Sequence, residues 1–253
     1  MQTAAHFNIS IMKKYLFISI LMIPIWSQAQ NIQLIGSTAQ IMKEKNLSAN
    51  IDLDTITNRK FLYAIGAMEN LQGEIIVFNG KPLYAGLDEN RLPYWEQTFD
   101  KKAIFLVRSN VDAWHKTVFR DDPISNRQEL TKIIMREASK AGLDTVGGFP
   151  FRIRAKADQI QAHIAFLRLE TVTNFTPQGK KQDDYPLALE DQNVWIIGFA
   201  GKTAGGRFAI PAMGNNPASE LHMHYIRTDK EEAGHIEDLV INGIWQLCLP
   251  LRK

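Results

Sequence analysis

The residues best suited to chemistry are three histidines near the C-terminal end of the chain. His222 and His224 are separated by one residue in a run with the apolar and aromatic content of a β-strand. The two-residue period of a strand places both imidazoles on one face. The segment 227–234 is charged and ends in glycine, which is typical of a turn, so His235 is predicted to begin a neighbouring antiparallel strand. The spacing therefore predicts that a third imidazole approaches the first two.

Such a set of ligands suits a catalytic zinc ion. Three neutral histidines with one open coordination position are typical of catalytic zinc sites, whereas structural sites usually have four ligands, often thiolates. The chain has a single cysteine, Cys248. For a His-x-His pair alone, the alternative is two histidines on a strand surface that bind no metal. The third histidine beyond the turn favours the metal site.

The composition is that of an ordinary globular protein. Its 253 residues suffice for one large domain or two smaller ones. The formal net charge of +2 comes from two lysines in the first thirty residues, so the rest of the chain is neutral. A neutral chain without a basic stripe argues against nucleic acid as a partner. One cysteine also excludes an internal disulfide.

The first thirty residues have the pattern of an export signal. Lys13 and Lys14 precede an apolar segment, and the Ser-Gln-Ala-Gln that follows it is typical of a cleavage region. The apolar segment is too short for a good membrane span. A start at Met12 would give a complete signal peptide and leave residues 1–11 as an extension. We therefore expect a signal peptide over residues 1–30 and an exported, periplasmic or secreted protein without a membrane partner; an uncleaved anchor is the alternative.

Two local elements are predicted directly. Asn79-Gly80 lies between two strand-like runs, 74–78 and 81–85, and is the typical signal for a two-residue hairpin. Residues 126–141 have apolar positions at helical spacing, with Ser125 and Gln128 as a capping box.

Helical patterns cluster in the first half of the chain and strand patterns fill the second. Strand candidates after the helix are 149–153, 160–167, 194–199 and 208–211. We therefore predict an α+β fold, in which a mixed β-sheet with helices precedes a β-rich, barrel-like part. The predicted parts are residues 31–145, mixed α/β, and residues 146–253, which hold the metal site.

Two tracts of the sequence resemble the bacterial α-acetolactate decarboxylase family. Residues 64–80 read AIGAMENLQGEIIVFNG, in which a strand, a Gly-Glu step and an Asn-Gly hairpin follow in the family's order. Residues 222–235 resemble the family's zinc signature, a His-x-His followed eleven residues later by the histidine of a Gly-Gly-His, which reads Ala-Gly-His in this chain. Weaker similarity covers most of residues 32–250 in order.

The resemblance implies a zinc-dependent lyase that removes CO₂ from 2-acetolactate to give acetoin. It also allows a homodimer. It implies one divalent metal ion per chain, held by His222, His224 and His235, with Glu74 as the acid or base beside it. The metal would stabilise the charge left on the substrate as CO₂ leaves, and a carboxyl group would handle the proton. The alternative for Glu74 is a solvated carboxylate of the hairpin, and Glu69 is a second candidate for the same role.

The sequence departs from the family where the family has an arginine in a Thr-Arg-Thr context. A gapless reading from Phe149 places His163 there. Arginine offers a permanent charge and a fork for a carboxylate, which histidine does not. His163 is therefore a candidate catalytic residue whose role is open between a fourth ligand, a proton shuttle and a buried histidine with a backbone partner. Arg152 and Arg154 could replace the missing arginine.

Three functions are consistent with these observations. The first is decarboxylation of 2-acetolactate or a closely related 2-hydroxy-3-oxo acid. The second is a metal-dependent hydrolase or isomerase on the same scaffold, with Glu74 activating a zinc-bound water. The third is a periplasmic metal- or ligand-binding protein that lacks turnover. The first function predicts formation of CO₂ and acetoin, the second predicts turnover of another substrate, and the third predicts binding without turnover.

Overall fold

The computed structural model describes residues 32–120, 122–168, 172, 174–176, 183–229 and 232–251. The predicted signal peptide, residues 1–30, lies outside the described residues. Within them, no helix combines the length and the apolar character that crossing a membrane requires.

Most of the structure consists of two β-sheets. The first sheet contains the strands β1 Gln33–Ile35, β2 Ile51–Asp52, β3 Leu62–Met68, β4 Gly73–Phe78, β5 Lys81–Leu87, β6 Pro93–Glu96 and β7 Lys102–Asn110. Their order is β1-β7-β3-β4-β5-β6, and β2 also pairs with β7. The second sheet contains β8 Trp114–Phe119, β9 Phe149–Ile164, β10 Tyr185–Ala200, β11 Leu221–Arg227, β12 Ala233–Val240 and β13 Trp245–Pro250.

All pairings between these strands are antiparallel. The predicted mixed sheet is therefore wrong. Only short connections join β3, β4, β5 and β6, which are neighbours in the sheet. Such connections allow antiparallel pairing, whereas parallel neighbours need a crossover of a dozen or more residues. The second sheet has the order β10-β11-β12-β9-β13-β8, and β10 also pairs with β9. The strand-rich C-terminal part is confirmed. The predicted barrel is not established, because β13 and β8 continue the sheet beyond the four mutually paired strands β9 to β12.

Two α-helices accompany the sheets in the described residues, and three-residue 3₁₀ turns cover Leu53–Thr55 and Glu69–Leu71. Helix α1, Thr38–Met42, begins after Ser37, whose side chain accepts a hydrogen bond from the backbone of Gln40.

Helix α2, Arg127–Lys140, confirms the predicted helix, but its cap differs by one residue. Asn126 is the N-cap and accepts from the backbone of Glu129, while the Glu129 carboxylate accepts from the backbone of Ser125. The predicted pair, Ser125 and Gln128, is therefore wrong. Asparagine is as good an N-cap as serine. Glu129, three residues after Asn126, supplies the carboxylate that a capping box needs, although it accepts from the amide of Ser125.

Helix α2 packs on the second sheet. Its buried residues Leu130, Ile134 and Ala138 share one apolar core with residues of β9 such as Phe151. The chain passes from the first sheet to the second between β7 and β8, well before the predicted boundary at residues 145 and 146. The division into parts 31–145 and 146–253 stays a prediction.

The two sheets are joined by a second buried cluster. Tyr63 and Ile76 of the first sheet lie in it together with Ile197 and Phe199 of the second. Side chains of both sheets therefore meet at this interface, and residues far apart in sequence can line one cavity.

The strand predictions were accurate at the hairpin and less so elsewhere. Asn79 and Gly80 have φ values of 51° and 81°, as the predicted turn requires. The candidates 149–153 and 160–167 are not separate strands, because β9 runs through Phe149–Ile164. The candidate 208–211 is wrong as a strand: the Phe208 amide donates to the Ala204 carbonyl in a turn.

Gly73 fixes the start of β4 beside Glu74. Its φ is 149°, and a Cβ at this position would lie 2.3 Å from the carbonyl oxygen of Ala85 on β5. Only glycine allows the two backbones to approach this closely. The Gly-Glu step thus places the glutamate on a strand with a fixed register.

Candidate metal centre

The three predicted histidines converge. Pairing of β11 with β12 places His224 directly opposite His235, and the strand period places His222 on the same face as His224. The Nε2 atom of His222 lies 3.0 Å from His224 Nε2 and 3.0 Å from His235 Nδ1, and the latter two atoms are 3.4 Å apart. His224 is 0% exposed, and the other two imidazoles are also buried.

Hydrogen bonding within the group favours a cation at its centre. His222 Nδ1 contacts the carbonyl oxygen of Phe208. A carbonyl only accepts, so Nδ1 carries the proton and Nε2 of the neutral ring presents a lone pair to the other two histidines. That single lone pair cannot accept two well-directed hydrogen bonds at once. A cation instead receives one lone pair from each ring, and the Phe208 carbonyl is the outer partner that metal-ligating histidines usually have.

The spacing also fits zinc. Zinc–nitrogen bonds of about 2.0–2.1 Å at tetrahedral angles separate the ligand nitrogens by about 3.3–3.4 Å. The three observed separations lie within a few tenths of an ångström of that value. Three histidines leave a fourth position open, which is the pattern of a catalytic rather than a structural site.

Burial keeps the three rings in the neutral form that binds metal. Loss of hydration lowers the pKa of His222 to about 4. It also lowers the pKa of His224 and of His235 well below the ordinary value, and the neighbouring histidines lower both further. At neutral pH each imidazole therefore offers a lone pair.

These lowered pKa values predict an acid-sensitive fold for the metal-free protein. Unfolding exposes the rings and returns their pKa to about 6.5, so the unfolded state binds more protons below that pH. The contribution of these neutral rings to the free energy of unfolding is therefore complete above about pH 6.5 and is lost progressively as the pH falls towards 4. We expect the melting temperature of the chelator-treated protein to fall between pH 7 and pH 5, above the range in which most carboxylates titrate. Excess zinc should raise it more at pH 7 than at pH 5, because protons compete for the ligands. An equal melting temperature at both pH values would contradict this assignment.

Glu74 lies beside the histidines. It is 3% exposed, so the alternative of a solvated hairpin carboxylate is wrong. Its Oε1 atom accepts a hydrogen bond of 3.0 Å from the Ala165 amide, and its Oε2 atom lies 3.7 Å from His224 Nε2. The amide of Ala165, the residue after β9, orients the carboxyl group of Glu74 on the first sheet, so that one oxygen lies towards His224.

His163 joins the same group from β9, where it pairs in register with His235. Its ring nitrogens face carboxylates: Nδ1 lies 3.0 Å from Glu237 Oε1, while Nε2 lies 3.7 Å from Asp184 Oδ2 and 3.9 Å from Glu74 Oε1. The ring therefore has acidic surroundings, unlike those expected for a group that receives a substrate carboxylate.

These residues line one wall of a cavity of about 240 Å³. The polar wall contains His163, His222, His235, Glu74, Asp184 and Glu237. The lining also contains an apolar set, which we call the apolar wall: Ile41 and Met42 of α1, Leu71 of the second 3₁₀ turn, Phe105 of β7, and Ile210. A cavity with a polar wall and an apolar wall suits a small ligand that has both oxygen donors and an aliphatic group.

Three candidates from the sequence lie elsewhere. Arg152 donates to the Tyr63 hydroxyl at 3.0 Å, and its guanidinium lies over the rings of Trp114 and Trp195. Arg154 also lies near Trp195, and neither arginine lines the cavity. Glu69 accepts a hydrogen bond from the Ala49 amide and does not line the cavity either. The arginines on β9 therefore do not replace the family's arginine in this cavity.

Two acidic residues of the site were missed from the sequence. Glu237 follows His235 by two positions, which on a regular strand predicts the same face, but the ladder shifts register at this residue, so the strand period does not determine where its carboxylate lies. Asp184 directly precedes β10, and its approach to His163 has no local signal.

Comparison with known proteins agrees with this geometry. Residues 37–246 match the family described as alpha-acetolactate decarboxylase. The fold is similar to that of alpha-acetolactate decarboxylase from Bacillus subtilis strain 168, with a TM-score of 0.64 and 18% sequence identity over 88% of this chain and 85% of that chain. For acetolactate decarboxylase from Bacillus subtilis subspecies spizizenii the TM-score is 0.63, with 18% identity over 88% and 86% of the two chains.

A third similar structure comes from Staphylococcus aureus and is described as a protein of unknown function similar to alpha-acetolactate decarboxylase. Its TM-score is 0.63, with 12% identity over 87% of this chain and 85% of that chain. A comparison with curated proteins gave no match. At these identities the structural likeness establishes the fold.

Proposed function

The chain belongs to the alpha-acetolactate decarboxylase family, and from this premise we propose that it is a zinc-dependent carboxy-lyase that converts 2-acetolactate, or a closely related 2-hydroxy-3-oxo acid, to acetoin or the corresponding hydroxyketone. The observation that carries the proposal is the convergence of three buried, neutral imidazoles beside Glu74, of which His222 and His235 line one cavity together with Glu74.

His222, His224 and His235 would hold one divalent ion. Bound there, zinc supplies a Lewis acid for the carbonyl and hydroxyl oxygens of the substrate, which stabilises the charge left as CO₂ departs. The protein's own contribution is the geometry: the β11–β12 register holds His224 against His235, and the Phe208 carbonyl fixes the ring of His222. Ligands held in this way need little reorganisation when the ion binds.

Glu74 would hold the proton that the reaction requires. Breaking the bond to the carboxylate carbon leaves an electron pair on the substrate, and a proton must take the place of CO₂. The amide of Ala165 fixes one carboxyl oxygen of Glu74, so the other faces the metal ligands at 3.7 Å from His224. A carboxyl group at this place can donate the proton to the reacting carbon.

The apolar wall would hold the aliphatic part of the substrate. Leu71 and Phe105 line the cavity together with the histidines, and Phe105 contacts the ring of His222. An apolar wall lowers the water content around the reacting groups, which strengthens each electrostatic interaction within the cavity. His163 lines the same cavity, and we place it among the residues that contact the substrate.

One observation supports a second candidate function. Glu74, Asp184 and Glu237 all lie near His163, where the family has an arginine. Such surroundings suit an uncharged substrate better than a carboxylate. A metal-dependent hydrolase or isomerase on this scaffold, with Glu74 activating a water, is therefore the alternative, and a metal- or ligand-binding protein without turnover is the third possibility.

We propose further that the protein is exported and loses its first thirty residues. The basic pair Lys13 and Lys14 before an apolar segment supports this. N-terminal sequencing of protein recovered from the periplasm or the medium tests it, and an intact leader there would contradict it.

The decisive experiment is acetoin formation from racemic 2-acetolactate by the zinc-loaded protein. 2-Acetolactate also loses CO₂ spontaneously, so His235→Ala protein serves as the control. A rate well above that control supports the proposal. A rate equal to the control, in protein that binds zinc, would overturn it and favour the alternative functions.

A further inference from the structure

A second group of metal-ligand atoms lies beside the first. His163, His235 and Glu237 each offer a ligand atom, and these atoms all lie within 4.8 Å of one another. The closest pair is His163 Nδ1 and Glu237 Oε1, at 3.0 Å. This is the distance of a hydrogen bond from an imidazole N–H to a carboxylate, and an ion that replaced the proton would need only a small increase in that separation.

The backbone brings these three residues together. His163 on β9 pairs in register with His235 on β12, and their rings are 4.7 Å apart between centroids. The ladder then shifts register between Ile236 and Asp238, so Glu237 lies at an irregularity in the strand. A β-bulge re-aims a side chain, and bulges are common next to functional sites. Here the re-aimed side chain is the carboxylate that contacts His163.

The other nitrogen of His163 has the surroundings of a metal ligand's outer partner. Nε2 faces Asp184 Oδ2 at 3.7 Å and Glu74 Oε1 at 3.9 Å. Histidines that bind metal through one nitrogen almost always direct the N–H of the other towards a carboxylate, carbonyl or water. Without an ion, Nδ1 lies at hydrogen-bond distance from Glu237 Oε1 and donates its proton to that carboxylate. A cation would take the place of this proton, and the ring proton would then lie on Nε2, towards the two carboxylates.

We propose that His163, Glu237 and His235 bind a second divalent cation next to the triad ion. Two imidazoles and one carboxylate form the nitrogen and oxygen donor set that zinc, cobalt and manganese accept. An imidazole has two nitrogens, so His235 serves both ions, and binding at both releases its ring proton to solvent. Paired metal sites that share a ligand are a known arrangement in enzymes.

A second cation would offset most of the negative charge that Glu74, Asp184 and Glu237 give to this wall of the cavity. It lies where His163 replaces the family's arginine, and it would attract the carboxylate of a 2-hydroxy-3-oxo acid in place of a guanidinium. This role of the cation in substrate binding rests on the proposed function, whereas binding of the cation itself does not. The number of zinc ions bound per chain therefore tests the second site independently of the proposed decarboxylase activity.

The test is titration of metal-free protein with zinc chloride at pH 7, followed by removal of free metal and measurement of zinc per chain. We expect two equivalents in the wild type and one in Glu237→Gln, because an amide oxygen is a poorer ligand than a carboxylate. Glu237 has 48% of its side chain exposed, so the substitution removes no core packing. His163→Gln is the second variant and should also bind one equivalent. Glu190→Gln, at an exposed carboxylate on β10, is the matched control and should bind two.

The outcomes separate the two sites. One equivalent in the wild type, kept by Glu237→Gln and lost in His222→Ala, would overturn the second site and leave the triad in place. One equivalent that is lost in Glu237→Gln and kept by His222→Ala would support the second site and refute the triad as a zinc centre. Wild-type protein that binds no zinc would overturn both.

Discussion

Replacing His224 with alanine should abolish zinc binding at the triad and reduce acetoin formation to the spontaneous rate. His224 is fully buried and contacts both other histidines, at 3.0 Å and 3.4 Å. Changes to outer partners of metal ligands already cost about 10–100-fold in affinity or activity, so loss of a ligand should weaken zinc binding by more than about 100-fold. Zinc content of the dialysed protein and the rate with 2-acetolactate measure the two effects. Removal of a buried ring also leaves a cavity and should lower the melting temperature of the metal-free protein.

His115→Ala is the matched control. His115 is an exposed histidine on β8, a strand at the edge of the second sheet and outside the cavity. The same chemical change there should alter neither zinc content nor rate. If His224→Ala protein kept its full zinc content at the triad, the metal assignment would be wrong, whatever its activity.

The histidine triad was predictable because it depends on short-range rules. His222 and His224 follow the two-residue strand period, and one turn joins them to His235. The structure confirms that His224 pairs with His235. The Asn79-Gly80 turn was predictable for the same reason, since positive φ at two successive positions restricts the residue types. These features need no knowledge of the rest of the fold.

The remainder of the site depends on contacts between distant parts of the chain. Glu74 is on the first sheet and lies near His224 on the second, and Asp184, just before β10, lies near His163 on β9. No local period encodes such contacts. Glu237 lies at a register shift of β12, so the strand period that places His235 does not determine the direction of the Glu237 side chain.

The errors in secondary structure have local physical causes. β9 was divided into two candidates because its middle alternates charged and small residues, such as Lys156 and Ala157, and carries a weak apolar signal. Its pairing with β10 along the whole length compensates for that weakness. The predicted cap is one residue too early because Ser125 and Asn126 are both good caps, and only the hydrogen bond that the Glu129 amide donates to the Asn126 side chain distinguishes them.

Glu74→Gln should remove most of the activity and leave the metal in place. The substitution preserves the shape of the side chain and an oxygen that can accept the hydrogen bond of the Ala165 amide, so the fold should be retained. It removes the group that can give a proton to the reacting carbon. Loss of a positioned acid or base typically costs about 10²–10⁴-fold, and we expect a fall in kcat of that order with unchanged zinc content. Single-turnover rates and zinc analysis of the same preparation measure both quantities.

Glu69→Gln is the control that makes this result specific. Glu69 is five residues earlier, was the second candidate for the same role, and accepts a backbone hydrogen bond from Ala49 outside the cavity. Its amide variant should keep the wild-type rate. Wild-type activity in Glu74→Gln would mean that the proton comes from another group of the cavity wall. Equal losses in both variants would mean that the effect acts through the stability of the first sheet rather than through proton transfer, and the melting temperatures of the two proteins would show it.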